Sequence, residues 1–209
     1  MKPVTRALRL FVVLAILLAG IGAAYVLTTG LSARQTPGPF ETTIARAVRG
    51  VAVRAHVRGV TNPVPVSADV IAEGRDHFAD HCAVCHANDG SGNVEMGRGL
   101  YPKAPDMRLP ATQNLSDAEL FYIIENGVRF TGMPAWSTGT KDGETASWHL
   151  VHFIRHLPSL TAEEIEHMES LNPRSPEEIR QEIDAERFLQ GADVAPSPST
   201  NDEHTGAHR

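Results

Sequence analysis

The sequence predicts a helical fold, and three observations carry the prediction. Wherever a period is readable, apolar residues recur at spacings of three and four, as on one face of an α-helix. A charge-free run opens the chain, and the intervals between periodic segments are crowded with Gly, Pro, Asn and Asp. With 209 residues and 42% apolar content the chain is not wholly disordered, and one modest globular core is expected.

The apolar run comes first. Lys2, Arg6 and Arg9 precede Leu10 to Leu27, eighteen residues without a charge. That is close to the ~20 residues a spanning helix needs and longer than the roughly 7–15 of a secretory signal. Residues 1–30 therefore read as a retained transmembrane anchor, with Gly22-Ala23-Ala24 as the cleavage point if the segment is instead an export signal. The leading positive charges place the N-terminus in the cytoplasm. Everything after about Thr29 then lies in the periplasm of a bacterium, the chain crossing the cytoplasmic membrane once.

Charge is segmented along the chain. Residues 1–30 carry +3, residues 31–67 carry +4 from five arginines and one glutamate, residues 68–160 carry −5 and residues 161–209 carry −8. A basic collar beside the membrane suits anionic headgroups, while the acidic remainder argues against nucleic-acid binding.

Residues 31–67 read as a basic linker with a short helix. Pro37 and Pro39 discourage regular structure over residues 33–41. From Thr42 a helix is expected, because Ile44, Val48, Val51 and Ala55 share one stripe while Arg46 and Arg49 point away. It is a spacer, or else it lies on the membrane or docks on the following domain. Asn62-Pro63-Val64-Pro65 ends it, and Ser67 or Asp69 caps a helix carrying Val70, Gly74 and Phe78 at spacings of four.

Residues 87–114 are too punctuated for long elements. Periodicity returns at Leu115, where Ser116 and Glu119 form a capping-box pattern ahead of Leu120, Ile123 and Ile124, and Asn126-Gly127 closes the helix. A loop through Lys141-Asp142-Gly143 leads to a helix from Ala146 to Leu157, with Leu150, Phe153 and Ile154 on one face and Pro158 as its stop. Residues 161–190 form an acidic helical extension in two pieces, to about Leu171 and from Ser175 to about Leu189, and residues 191–209 a disordered tail.

The chemistry concentrates at Cys82-Ala83-Val84-Cys85-His86. Cys-x-x-Cys-His is the attachment pattern of a c-type haem, in which both sulfurs form thioethers and the histidine ligates iron. A zinc site would call for a second ligand pair, and the chain has no other cysteine. A thioredoxin-type site would sit between a strand and a helix, which the periodicity here does not provide. The same count leaves no cysteine for a lipid anchor. One motif and no internal repeat mean one haem.

The second axial ligand is sought among Met96, Met107, Met133 and Met168. Met133 is the choice, because Gly132 and Pro134 fix its backbone in a loop between two amphipathic helices, 47 residues beyond His86. His77 and His81, the trio His149, His152 and His156, and the tail's His204 and His208 read as solvated or haem-edge positions. Pro102 or Pro105 stands in a turn able to present a carbonyl to the proximal histidine's outer nitrogen. Trp136 and Trp148 suit the cofactor crevice or a helix contact. No Ser/His/Asp set, carboxylate pair or phosphate-binding glycine loop emerges, so neither a catalytic group nor a small-molecule substrate is expected.

In order, Gly74 and Phe78, Cys82 to His86, Leu100-Tyr101-Pro102, Leu115 to Leu120, Gly132-Met133-Pro134-Ala135-Trp136, and Trp148 with Leu150 and Phe153 make residues 68–160 resemble a class I mono-haem cytochrome c domain. The resemblance implies an all-α fold around one covalent haem c, with His86 and Met133 on opposite faces of the iron. It also implies that the first and last helices cross at Gly74, Phe78, Leu150 and Phe153. His152 departs from the pattern, where many relatives are apolar or small.

The expected function is one-electron transfer by a membrane-tethered periplasmic carrier, not an enzyme, working with redox proteins at the membrane surface. The alternative is a docked cytochrome subunit of a multisubunit respiratory oxidoreductase or dehydrogenase. A haem sensor or peroxidase-like enzyme stands third and would require Met133 to be displaceable.

Overall fold

A computed structural model describes residues 3–174 and 176–190. Among the described residues every regular element is a helix. The first, α1 (Pro3–Thr29), contains a stretch apolar and long enough to cross a membrane, Thr5–Thr28, and none of it is buried against the other described residues.

Helix α2 (Pro39–His56) starts earlier than the sequence predicts. Pro39 does not break it but occupies the first turn, where a missing N–H costs nothing and a fixed φ favours the helix. Helix α3 (Ala68–His77) is capped by Ser67, whose hydroxyl accepts from the Val70 amide, so Asp69 becomes a first-turn acid. The chain then widens into a five-residue π-helical stretch, Phe78–Cys82, before α4 (Ala83–His86).

The punctuated region holds two single turns, α5 (Glu95–Gly99) and α6 (Pro110–Gln113). Helix α7 (Asp117–Asn126) has the complete capping box of Ser116 and Glu119. Helix α8 (Lys141–His156) begins five residues ahead of the expected start, because the Thr140 hydroxyl accepts from the Gly143 amide and turns the supposed loop into a first turn. Helix α9 (Ala162–Leu171) has a second capping box, from Thr161 and Glu164.

The core sits where α3 and α8 cross. Phe78, Leu150, Val151 and Phe153 are all buried there, and the Phe78 and Phe153 rings lie 5.1 Å apart. Gly74 allows the crossing: a Cβ at that position would lie 2.2 Å from the His149 carbonyl oxygen and 2.7 Å from its carbon. Trp148 stacks on Phe121 at 4.0 Å and an interplanar angle of 6°, joining α8 to α7. Met168 is fully buried in the same core. Helix α9, which the sequence assigns to an acidic extension, is thus built into the globular body through its single apolar face.

The α8 histidines are not the solvated groups expected. His149 pairs with Glu73 at 2.9 Å, His156 with Glu164 at 2.9 Å, and His152 Nε2 lies 2.9 Å from the Val64 carbonyl, holding the segment ahead of α3. Arg155 adds a clamp: it donates to the Gln113 carbonyl at 2.7 Å, to the Leu115 carbonyl, and twice to Asp117. Arg155→Met is expected to cost about 2 kcal/mol, the cost of leaving half-buried carbonyls and a carboxylate without their charged donor. Urea denaturation against the parent chain measures it.

Helix α10 (Pro176–Leu189) belongs to a second unit that begins at Pro173. Ser175, expected to cap it, and the tail 191–209 lie outside the described residues.

Candidate haem site

The site is built on the end of the α3–α4 rod. Phe78 anchors that rod in the core, and the π-helical widening lies immediately before the motif, so Cys82, Cys85 and His86 emerge at the edge of the packed body. Part of the Cys82 residue is open, yet burial of its sulfur, with Cys85 adding to it, pushes the thiol up to about 12. Burial raises the Cys85 thiol as well. The two cysteines form no disulfide and stand one turn apart on the same segment.

His86 lies with its ring 6.4 Å from that of Phe78. Burial pushes its imidazole below the usual range, and the Pro105 carbonyl partly offsets this. The ring is therefore neutral at pH 7 and able to ligate a metal. Nδ1 is buried and has no partner of full hydrogen-bond geometry, so the Pro105 carbonyl leans on the ring without closing a bond. A buried orphan nitrogen is rare. A metal-ligating histidine whose other nitrogen faces a backbone carbonyl accounts for it. Of the two prolines named from sequence, Pro105 makes this approach; Pro102 is exposed and follows a cis peptide bond from Tyr101.

Met133 is half-buried in a loop held on the C-terminal end of α7. The Val128 amide donates to the Met133 carbonyl at 3.0 Å, the Met133 amide donates to Thr131 Oγ1 at 3.1 Å, and the Trp136 amide donates to the Ile124 carbonyl at 3.1 Å. Gly127, with φ +64, makes the fit possible, since a Cβ there would lie 2.6 Å from the Met133 carbonyl oxygen. Beneath the loop, Ser147 donates to the buried Glu125 at 2.6 Å.

Two contacts bring this loop to the cysteine motif. The Trp136 ring meets His81 edge-on at 5.7 Å, and Leu100 packs against Gly132. The other methionines separate cleanly: Met107 and Met168 are core residues, and Met96 is exposed on α5. Sequence reasoning missed the His81–Trp136 bridge. It also passed over Phe130, which is 93% exposed at φ +62 beside the methionine loop. An aromatic residue in a turn that otherwise reads as polar was the available signal.

These residues fit a haem c. Two thiols stand at thioether spacing, a neutral imidazole carries an orphaned outer nitrogen, and a thioether sits on a loop that touches the same rim. Among the described residues no group of three His, Cys, Asp or Glu is placed to hold a metal ion.

The fold and this site are similar to those of a c-type cytochrome domain. Residues 69–154 match the family described as cytochrome c oxidase, cbb3-type, subunit III. The chain is 35% identical over 109 residues to the cbb3-type cytochrome c oxidase subunit FixP of Rhizobium etli, and 32% identical over 109 residues to subunit FixPc of Rhizobium leguminosarum bv. viciae. Each match covers 50% of this chain and 33% of the relative, so the chain spans about a third of the length of the curated relatives it matches.

Proposed function

We propose that the protein carries single electrons as a membrane-tethered cytochrome c subunit docked in a terminal oxidase complex. The observation that carries this reading is the joint presence of the Cys82–His86 motif and the Met133 loop in a domain similar to oxidase subunits. A tethered carrier exchanging among several partners is the other reading, and the names of the relatives favour docking over it.

Cys82 and Cys85 are the residues that would hold the haem covalently, with His86 and Met133 as axial ligands and Trp136 beside them. Bound there, the haem supplies a one-electron iron couple. The chain's own groups set its character. Pro105 leans on the His86 ring, the Met133 thioether would be a second ligand that keeps substrates off the iron, and a thioether ligand, favouring the reduced metal, would raise the potential. We assign the anchor to residues 1–30, the tether to 31–67, the cytochrome domain to 68–160, the acidic extension, whose helix α9 packs into that domain's core, to 161–190 and the tail to 191–209. The domain is placed in the periplasm on the strength of Lys2, Arg6 and Arg9.

Co-purification tests the docked reading. From gently solubilised membranes the chain is expected to migrate with other oxidase subunits and to be reoxidised by oxygen through them. A chain that runs alone while reducing soluble acceptors contradicts docking and favours the freely exchanging carrier. In either case, the double replacement of Cys82 and Cys85 by Ala is expected to abolish haem staining on a denaturing gel, whereas each single replacement leaves one thioether and part of the stain.

A further inference from the structure

Helix α2 is amphipathic in the opposite sense to a helix on the surface of a soluble domain, which hides its apolar stripe and exposes its charges. Its inward face carries the buried Val53, the half-buried Arg49 and, exposed at the rim, Arg46. With Arg54, Leu115 and Glu119 these residues line a cavity of about 220 Å³ between α2 and α7. Burial and the neighbouring Arg46 push Arg49 below the usual arginine value, and Glu119 pulls it back, as befits a guanidinium facing the domain. Three contacts hold the helix there: Arg54 to Glu119 at 3.9 Å, His56 to Tyr122 at 5.3 Å between rings, and the Tyr101 hydroxyl donating to Glu41 at 2.7 Å.

The other face is apolar and open. Phe40, Ile44, Val48 and Val51 are 79, 47, 63 and 66% exposed. At about 100° per residue they fall on the side of the helix opposite Val53. We propose that this stripe is a second membrane contact: α2 lies along the outer leaflet with Phe40, Ile44, Val48 and Val51 in the acyl boundary, and the cytochrome domain rests on its arginine-bearing face. The proposal rests on the reading of α1 as a membrane span.

Lipid is the occupant that the chain's own geometry favours. Only residues 30–38 separate the end of α1 from the start of α2. Fully extended, they reach roughly 30 Å, so α2 is confined to the neighbourhood of the bilayer surface. Arg34 and Arg58 are exposed and bracket α2 at its two ends in sequence, placing positive charge where anionic headgroups lie. Inverted amphipathicity then has a use, because the domain is held in one orientation to the membrane in place of swinging on a tether.

The test uses the full chain in vesicles of phosphatidylcholine and phosphatidylglycerol with brominated acyl chains, holding no other protein. Val48→Trp, and Val51→Trp should the first not fold, is expected to lose roughly half of its added emission, as for a side chain buried about 5–10 Å into the interface. Glu163→Trp on α9 is expected to stay unquenched, with the signal of Trp136 and Trp148 subtracted from the unsubstituted chain. An unquenched stripe, as a second copy covering it would give, overturns the proposal if the chain still resists alkaline carbonate extraction. Release by carbonate overturns the reading of α1, and this proposal with it.

Discussion

Met133→Ala is expected to leave the haem attached and the fold intact while changing the site's chemistry. Cys82 and Cys85 do not depend on the loop, and the loop's own backbone bonds, from Val128 to the Met133 carbonyl and from Trp136 to Ile124, do not involve the lost side chain. What goes is the thioether. The reduction potential is expected to fall by at least ~100 mV, a modest share of the ~0.8 V over which axial ligands set it. The reduced variant is also expected to bind carbon monoxide rapidly, and the parent is expected not to. Redox titration and the carbon monoxide difference spectrum check the two effects. An unchanged potential assigns the sixth ligand elsewhere, and Met96 is then the remaining methionine outside the core.

Gly74→Ala is expected to destabilise the fold by about 3 kcal/mol. Alanine favours a helix over glycine by about 1 kcal/mol, so propensity alone predicts a gain. The crossing reverses it. The new Cβ would lie 2.2 Å from the His149 carbonyl oxygen and 3.0 Å from Phe153 Cβ, and the first of these is backbone, which no rotamer change relieves. Helix α3 must move off α8, loosening Phe78 against Phe153, for a net loss of about 3 kcal/mol. Gly99→Ala is the control. No atom lies within 4 Å of its Cβ position, and its effect is expected to be neutral or stabilising by less than ~1 kcal/mol. Guanidinium denaturation of the two variants separates sterics from propensity, and an unchanged midpoint for Gly74→Ala contradicts so close a crossing.

Much of this was legible before any coordinates. Local signals are self-contained: the capping box of Ser116 and Glu119 and the Gly127 stop each involve residues within a turn or two of one another, and each stands as read. The helix starts at Pro39 and Lys141 were less legible. Proline and glycine are ambiguous between loop and first turn until the preceding residue is seen to cap. The choice of Pro105 over Pro102 for His86 was not legible at all, since both prolines lie within one irregular turn and only its path decides which carbonyl arrives.

The histidines and α2 mark the same boundary. Spacing placed His149, His152 and His156 on one side of α8, and what they meet, Glu73, Val64 and Glu164, lies in segments distant in sequence or beyond a turn. In α2 the periodicity separated Ile44, Val48 and Val51 from Arg46 and Arg49 correctly, yet it did not say which set faces the domain. The sequence by itself determined the helical elements, the cysteine motif, the apolar first helix and the segmented charge. Each of these is written in neighbouring residues or in a period of 3.6. Only the tertiary structure decided that α9 joins the core through Met168, that Trp136 meets His81, and that α2 turns its apolar stripe outward. Those facts depend on which surfaces meet after the chain has folded back on itself, and a one-dimensional pattern carries amphipathicity without carrying its direction.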